Sequence, residues 1–205
     1  MFVELPANNN SASKRKPIYG AGINDSPYKI QIIVDGKRYS CHFYNIWFEM
    51  IRRCYSKEYQ GRKPTYIGCI VCKDWLKFSN FKAWMETQDW QKKELDKDIL
   101  FPGNKEYSPD NCVFVSRDIN TLLNKSLSSK GEHPTGVKFH KASNKFVAEC
   151  SLYGKQKHIG VYLTASEALS AYKKVKCAHL IEVANSQPEN IKQALKRHAS
   201  LIYNS

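Results

Sequence analysis

Apolar residues in this chain change period several times, and each change marks an expected element. YKIQIIV and KRYSCHF flank Asp35-Gly36, a pair that favours the tight turn matching strand twist, so this stretch reads as a β-hairpin. Phe43, Trp47, Met50, Ile51 and Cys54 then recur at three- and four-residue steps, which predicts an amphipathic helix ending near Tyr55. Ser79 is placed to cap a second helix carrying Phe81, Trp84 and Met85 on one face. LDKDIL reads as a strand, FPGNKEYSPDN as a polar loop, CVFVS as a second strand opened by Asn111, and a helix begins at Ser116.

Periodicity lapses over TLLNKSLSSKGEHPT, where Ser, Lys, Gly and Pro gather, as expected of a helix end running into a linker. Beyond it, GVKFHKA, KFVAECSLY and KQKHIGVYL alternate apolar and polar residues, with Ser143-Asn144 and Gly154 marking the turns. Alternation points Val137, Phe139, Phe146, Ala148, Cys150 and Ile159 inward. Lys138, His140, Lys145, Val147, Glu149, Ser151, Gln156 and His158 then point outward. Thr164-Ala-Ser-Glu167 fits a capping box, and Ala168, Ala171, Tyr172 and Val175 form a helical stripe behind it. A last helix spans roughly Pro188 to Ile202, and no internal repeat is evident. The fold class expected is α+β. It divides into a flexible N-terminal segment (1–17), a first domain (18–125), a linker (126–134) and a second domain with a C-terminal helix (135–205).

Charge narrows the function. The chain has 205 residues, with 32 Lys+Arg against 19 Asp+Glu, a net +13 spread along its length. A broad positive field attracts polyanions, and nucleic acid is the commonest of these inside a cell. No stretch approaches the roughly 20 apolar residues of a membrane span, and MFVELPANNNSASKRK has no apolar signal core, so a cytoplasmic protein is expected. No small-molecule substrate is evident. Seven cysteines, an odd number scattered through core-forming segments, are expected to be reduced thiols, buried or metal-bound.

The sharpest chemical signal lies between Leu95 and Asn120. Two strands and a helix folded on one another would bring Asp96 and Asn120 to one end. Their carboxylate and amide oxygens are hard ligands suited to Mg²⁺, which can stabilise charge developing on a phosphodiester. This segment resembles the HNH family of ββα-metal nucleases, in which Asp-His begins the motif, an Asn follows, and a His or Asn lies nine residues beyond. Asp96-Lys97, Asn111 and Asn120 occupy those positions. The resemblance implies that Asp96 and Asn120 hold the metal and that Asn111 orients the residue at position 97. The departure is Lys97, where the family has the histidine that deprotonates water. Lysine is a poor base at neutral pH unless burial lowers its pKa by several units, and its charge otherwise suits a phosphate. Asp98 is the remaining candidate base, because no histidine lies between His42 and His133.

A wider likeness covers about residues 18–125. YNIWFEMIRRCYSKEY, PTYIGCIVCKDWLKFSNFKAWM and LDKDILFPGNKEYSPDNCVFVSRDIN are similar to a phage-borne family described as HNH or homing-endonuclease-like, whose members often carry Lys or Arg at the histidine position. It implies a bacteriophage or mobile-element origin and a site of action on DNA in the bacterial host cell. Cys54, Cys69, Cys72 and Cys112 have spacing permissive for a four-thiolate Zn²⁺ site, with Cys69-Ile-Val-Cys72 as its knuckle. Cys54 on the apolar helix face and Cys112 at the start of a strand equally suit small core residues.

Residues 135–180 resemble the AP2 DNA-binding domain, a three-stranded antiparallel sheet packed on one helix. The match runs through Thr135-Gly136-Val137-Lys138, Lys145-Phe146-Val147-Ala148-Glu149, His158-Ile159-Gly160-Val161-Tyr162-Leu163-Thr164, and Glu167-Ala168 to Ala171-Tyr172. It implies that the exposed sheet face enters the major groove of double-stranded DNA, with Lys138, His140, Lys145, Gln156 and His158 as base or phosphate contacts. Lys, His and Gln stand where that family uses several Arg and Trp. Two readings remain open at this point: a metal-dependent endonuclease directed to its site by the sheet, and a catalytically inactive regulator of transcriptional-repressor type derived from such an enzyme. A protein that coats DNA without sequence preference is a third.

Overall fold

A computed structural model of the chain describes residues 2–124 and 132–205. It is a mixed α+β protein of two compact units, Met1–Asp98 with Gly103–Phe114, and Ile99–Pro102 with Val115–Ser205. The expected linker at 126–134 falls largely outside the described residues. Among these, no helix is long and apolar enough to cross a membrane.

The first unit opens with a short helix α1 (Asn9–Ser13). The N-terminal segment makes backbone bonds to the rest of the unit: Ala7 N to Pro27 O at 2.9 Å and Lys29 N to Leu5 O at 2.9 Å. The Arg15 guanidinium adds a bond to Ser26 O at 2.7 Å. The hairpin β1 (Gln31–Val34) and β2 (Lys37–Ser40) forms as the Asp-Gly pair predicts. Asp35 and Gly36 both take positive φ, as a tight primed turn requires.

Helix α2 (His42–Tyr55) buries Trp47, Met50, Ile51 and Cys54 on one face. Burial of so large a ring as Trp47 demands a partner for its N–H, and Nε1 donates to Trp75 O at 2.7 Å. After α3 (Lys57–Arg62) and β3 (Ile70–Val71), α4 (Phe78–Glu86) adds Phe78, Phe81 and Met85 to the same core. Ser79 does not cap α4. Asp25, distant in sequence, does so, its carboxylate accepting from Ser79 N at 2.9 Å and Ser79 Oγ at 2.6 Å.

The segment read as LDKDIL, loop, CVFVS departs from its expected outline. Only Glu94–Asp96 is extended (β4), because Asp96 Oδ1 accepts from Asp98 N at 2.7 Å and turns the chain. The polar loop contains a strand of its own, β5 (Glu106–Tyr107), parallel to β3. Strand β6 (Val113–Val115) pairs with β4, so Asn111 precedes the strand and does not open it. Helix α5 (Arg117–Asn124) then begins beside Ser116, whose Oγ accepts from Ile119 N at 3.4 Å.

In the second unit, β7 (Val137–His140), β8 (Lys145–Leu152) and β9 (Lys155–Tyr162) form one antiparallel sheet in sequence order. Helix α6 (Ala165–Asn185) opens with the predicted capping box of Thr164 and Glu167, and α7 (Glu189–Asn204) follows. Val137, Ala148 and Ala168 form the centre of the contact between sheet and helix, flanked by Phe146, Ile159 and Tyr162. The unit also takes in Ile99–Pro102 and α5, earlier in the chain than the expected boundary. The causes are long-range bonds: Arg197 to Leu100 O at 2.6 Å, His198 Nε2 to Ile99 O at 3.1 Å, and Lys176 Nζ to Leu122 O at 2.8 Å. The last places a cation on the carbonyl end of α5, where the helix dipole favours it.

Alternation assigns most of the faces correctly, with two departures. Phe139 lies at the end of the inner row beside Phe146, but is 38% exposed. The second departure is a register shift between Ala148 and Glu149: Gly160 opposes Ala148, whereas His158 opposes Glu149. Ile159 is thus an extra residue, and the inward–outward phase of β9 reverses across it.

Gly136 leads into β7 with φ +84, and a Cβ there would lie 2.1 Å from the Tyr172 ring. Gly154 has a similar φ of +76 with open space around it. We expect Gly136→Ala to destabilise the second unit by about 2 kcal/mol or more, combining strain with overpacking, and Gly154→Ala by about 1 kcal/mol. Thermal unfolding of the two variants, followed by circular dichroism, checks this; equal losses would contradict the close packing of Tyr172.

Candidate nucleic-acid interface

Helix α6 covers one side of the β7–β9 sheet, and period-two geometry leaves the other side to solvent. Lys138, His140, Lys145, Gln156 and His158 are all exposed. The register groups them in rows across the sheet: Lys138 with Val147 and Val161, Glu149 with His158, and Ser151 with Gln156. His140 and Lys145 are themselves paired partners at one end. All five residues expected to contact DNA therefore share a single side of one sheet.

Glu149 organises part of this face. Its carboxylate Oε2 accepts from Lys138 Nζ at 2.5 Å and from Gln156 Nε2 at 3.2 Å, bridging the two outer strands across β8. The Lys138 bond is the main reason its carboxyl titrates below the usual range. His140 Nδ1 lies 2.8 Å from Ser143 Oγ, which fixes the imidazole at the β7–β8 turn. The result is a polar, cationic surface whose long side chains are partly preordered.

Val161 was missed by simple alternation, which points it inward. The bulge turns it outward, 50% exposed and directly opposite Val147. A signal for this existed in the sequence: Gly160, an isolated glycine inside a strand pattern, marks sites of bulging.

The nuclease-like positions are arranged differently from the resemblance. Lys97 is 5% exposed. Its Nζ donates to Asp98 Oδ1 at 2.6 Å and to Asn104 O at 2.7 Å. Asn104 answers with its own amide, donating to Lys97 O at 2.9 Å and to Glu106 O at 2.6 Å, while its Oδ1 accepts from Glu106 N at 3.1 Å. This reciprocal clasp holds the start of the loop to β5. Lys97 is therefore an internal staple of this loop. Asn111 does not orient it; its amide donates to Glu106 Oε2 at 3.2 Å. Asp98, half exposed, is the counter-ion of Lys97. Asp96 falls in the first compact unit and Asn120 in the second.

Cys54, Cys69 and Cys112 are buried in the core of the first unit, and Cys72 is half-buried at its edge. Burial raises all four thiols, Cys54 to about 12, so without a metal they remain protonated. Among the described residues, no group of three or more His, Cys, Asp or Glu side chains is placed to hold a metal ion. Comparison of the chain with protein-family models, curated proteins and solved structures finds no match.

The clasp is testable by Lys97→Met, which keeps most of the stem and removes both hydrogen bonds. We expect a loss of about 1–3 kcal/mol, read in urea by tryptophan fluorescence. All four tryptophans, Trp47, Trp75, Trp84 and Trp90, lie in the first unit and report on it alone. An unchanged midpoint would contradict the stapling role.

Proposed function

We propose that the chain is a sequence-directed binder of double-stranded DNA, which it grips with the outer face of β7–β9 laid against the major groove. The observation that carries this reading is the gathering of Lys138, His140, Lys145, Gln156 and His158 on one exposed sheet face whose reverse is closed by α6. A twisted two- or three-stranded surface fits the major groove, where every base pair presents a distinct donor and acceptor pattern. Lys138 and Lys145 supply phosphate contacts that position the protein, while Gln156 and His158, side by side on the outer strand β9, supply donors and acceptors for base edges. The chain-wide charge of +13 adds a long-range attraction that falls with salt.

Within this proposal the HNH-like segment serves as scaffold. The burial of Lys97 and its two internal hydrogen bonds favour the regulator reading over cleavage, since the residue at the position of the family's catalytic base is occupied with holding a loop.

The test is binding of the full chain to duplex DNA across a salt series. Lys138→Ala and Lys145→Ala should each weaken binding. Each phosphate that a variant no longer neutralises should lower the slope of log K against log salt by about 0.9. Absence of binding to any duplex at low ionic strength would overturn the reading. Duplex incubated with the protein and Mg²⁺ should stay intact. Cleavage that Asp96→Ala and Asn120→Ala both abolish would restore the endonuclease instead.

A further inference from the structure

We propose that Val147 and Val161 form a reader of thymine methyl groups at the centre of the DNA-binding face; this rests on the proposed function and adds a base preference to it. An exposed sheet face normally alternates to polar residues, yet these two β-branched side chains stand directly opposite each other on its solvent side. Val161 is 50% exposed. The pair cannot donate or accept a hydrogen bond, so neither a phosphate nor a polar base edge is its partner. Most of its neighbours are cationic or polar: Lys138 lies opposite Val147 on β7, and Lys145, Glu149 and His158 occupy the adjoining rows, with exposed Leu163 two residues beyond Val161.

A small apolar centre within a cationic rim calls for a polyanion that carries an apolar feature. In the major groove that feature is the C5 methyl of thymine, the one apolar group among the base-edge patterns. The spacing agrees: directly opposed β-carbons lie about 5 Å apart, which spans one to two base-pair steps of about 3.4 Å. A specific backbone device creates the pair. Without the register shift at Ala148/Glu149, Val161 would fall on the side covered by α6, and Val147 would face a glycine across the strands.

The experiment replaces thymine with deoxyuridine, which lacks only the methyl. A preferred duplex is selected from random sequences with the full chain, and each thymine in it is then exchanged in turn. Wild-type affinity should fall about four-fold for each contacted methyl at one or two neighbouring positions, with the salt slope unchanged. Val161→Ala and Val147→Ala should erase that discrimination, each at its own position, and Val161→Thr, of nearly the same shape, controls for folding. Equal affinity for thymine and deoxyuridine at every position would overturn the inference while leaving DNA binding standing. A uridine penalty that survives in the double alanine variant would overturn it too, since the methyl would be read elsewhere. Failure to bind any duplex would instead remove the proposed function beneath it.

Discussion

One constraint governs the proposed DNA-binding surface: a three-stranded sheet covered by a single helix must divide its side chains between a closed face and an open one. Val137, Ala148 and Ala168 enforce the division, because these small and branched residues let α6 approach the strands closely. Every outward residue of β7 and β8 follows from that contact by simple alternation. The closeness is set at Gly136, where the backbone runs against the Tyr172 ring with no room for a side chain. The open face needs no packing of its own, which leaves its residues free to serve recognition. The bulge on β9 is the single break in the phase of alternation, and it carries consequence: it joins residues on either side of it into one continuous surface.

The segment from Leu95 to Asn120 shows the opposite use of charge. On the sheet, Lys138 and Lys145 reach solvent, Lys138 while also bonded to Glu149. At position 97 the ammonium is withdrawn from water and its cost offset by a carboxylate and a backbone carbonyl. Asn104, which fell within a loop with no assigned role, proves to be the hub of that arrangement through four hydrogen bonds. The position at which the resemblance implies chemistry thus contributes to the integrity of a loop in this chain.

Elements with strong local signatures were legible from the sequence. The Asp35-Gly36 hairpin, the apolar stripe of α2, the strand order β7-β8-β9 and the Thr164–Glu167 box each rest on interactions between residues close in the chain. What eluded the sequence depends on distant partners. Asp25 caps α4 from far upstream, β5 exists because β3 lies beside it, and Ile99 and Leu100 join the second unit through Arg197 and His198. The five expected DNA contacts lay on β7, on β8 or on the part of β9 before its bulge and were found together. Val161 was not, since a one-residue bulge inverts the phase on which the assignment of faces depends. The nuclease-like positions were visible as a motif, but the fate of Lys97 turned on Asn104, outside that motif.

The central claim is that the exposed side of β7–β9 is the surface that meets the double helix. Mapping of backbone amide resonances of the full chain during titration with a short duplex tests this most directly. The account predicts that the largest shifts fall on β7, β8 and β9, around Lys138, Lys145, Gln156 and His158, with α6 and α7 little disturbed. Shifts confined to the two helices, or spread evenly over the chain as from a diffuse ionic cloud, would contradict it.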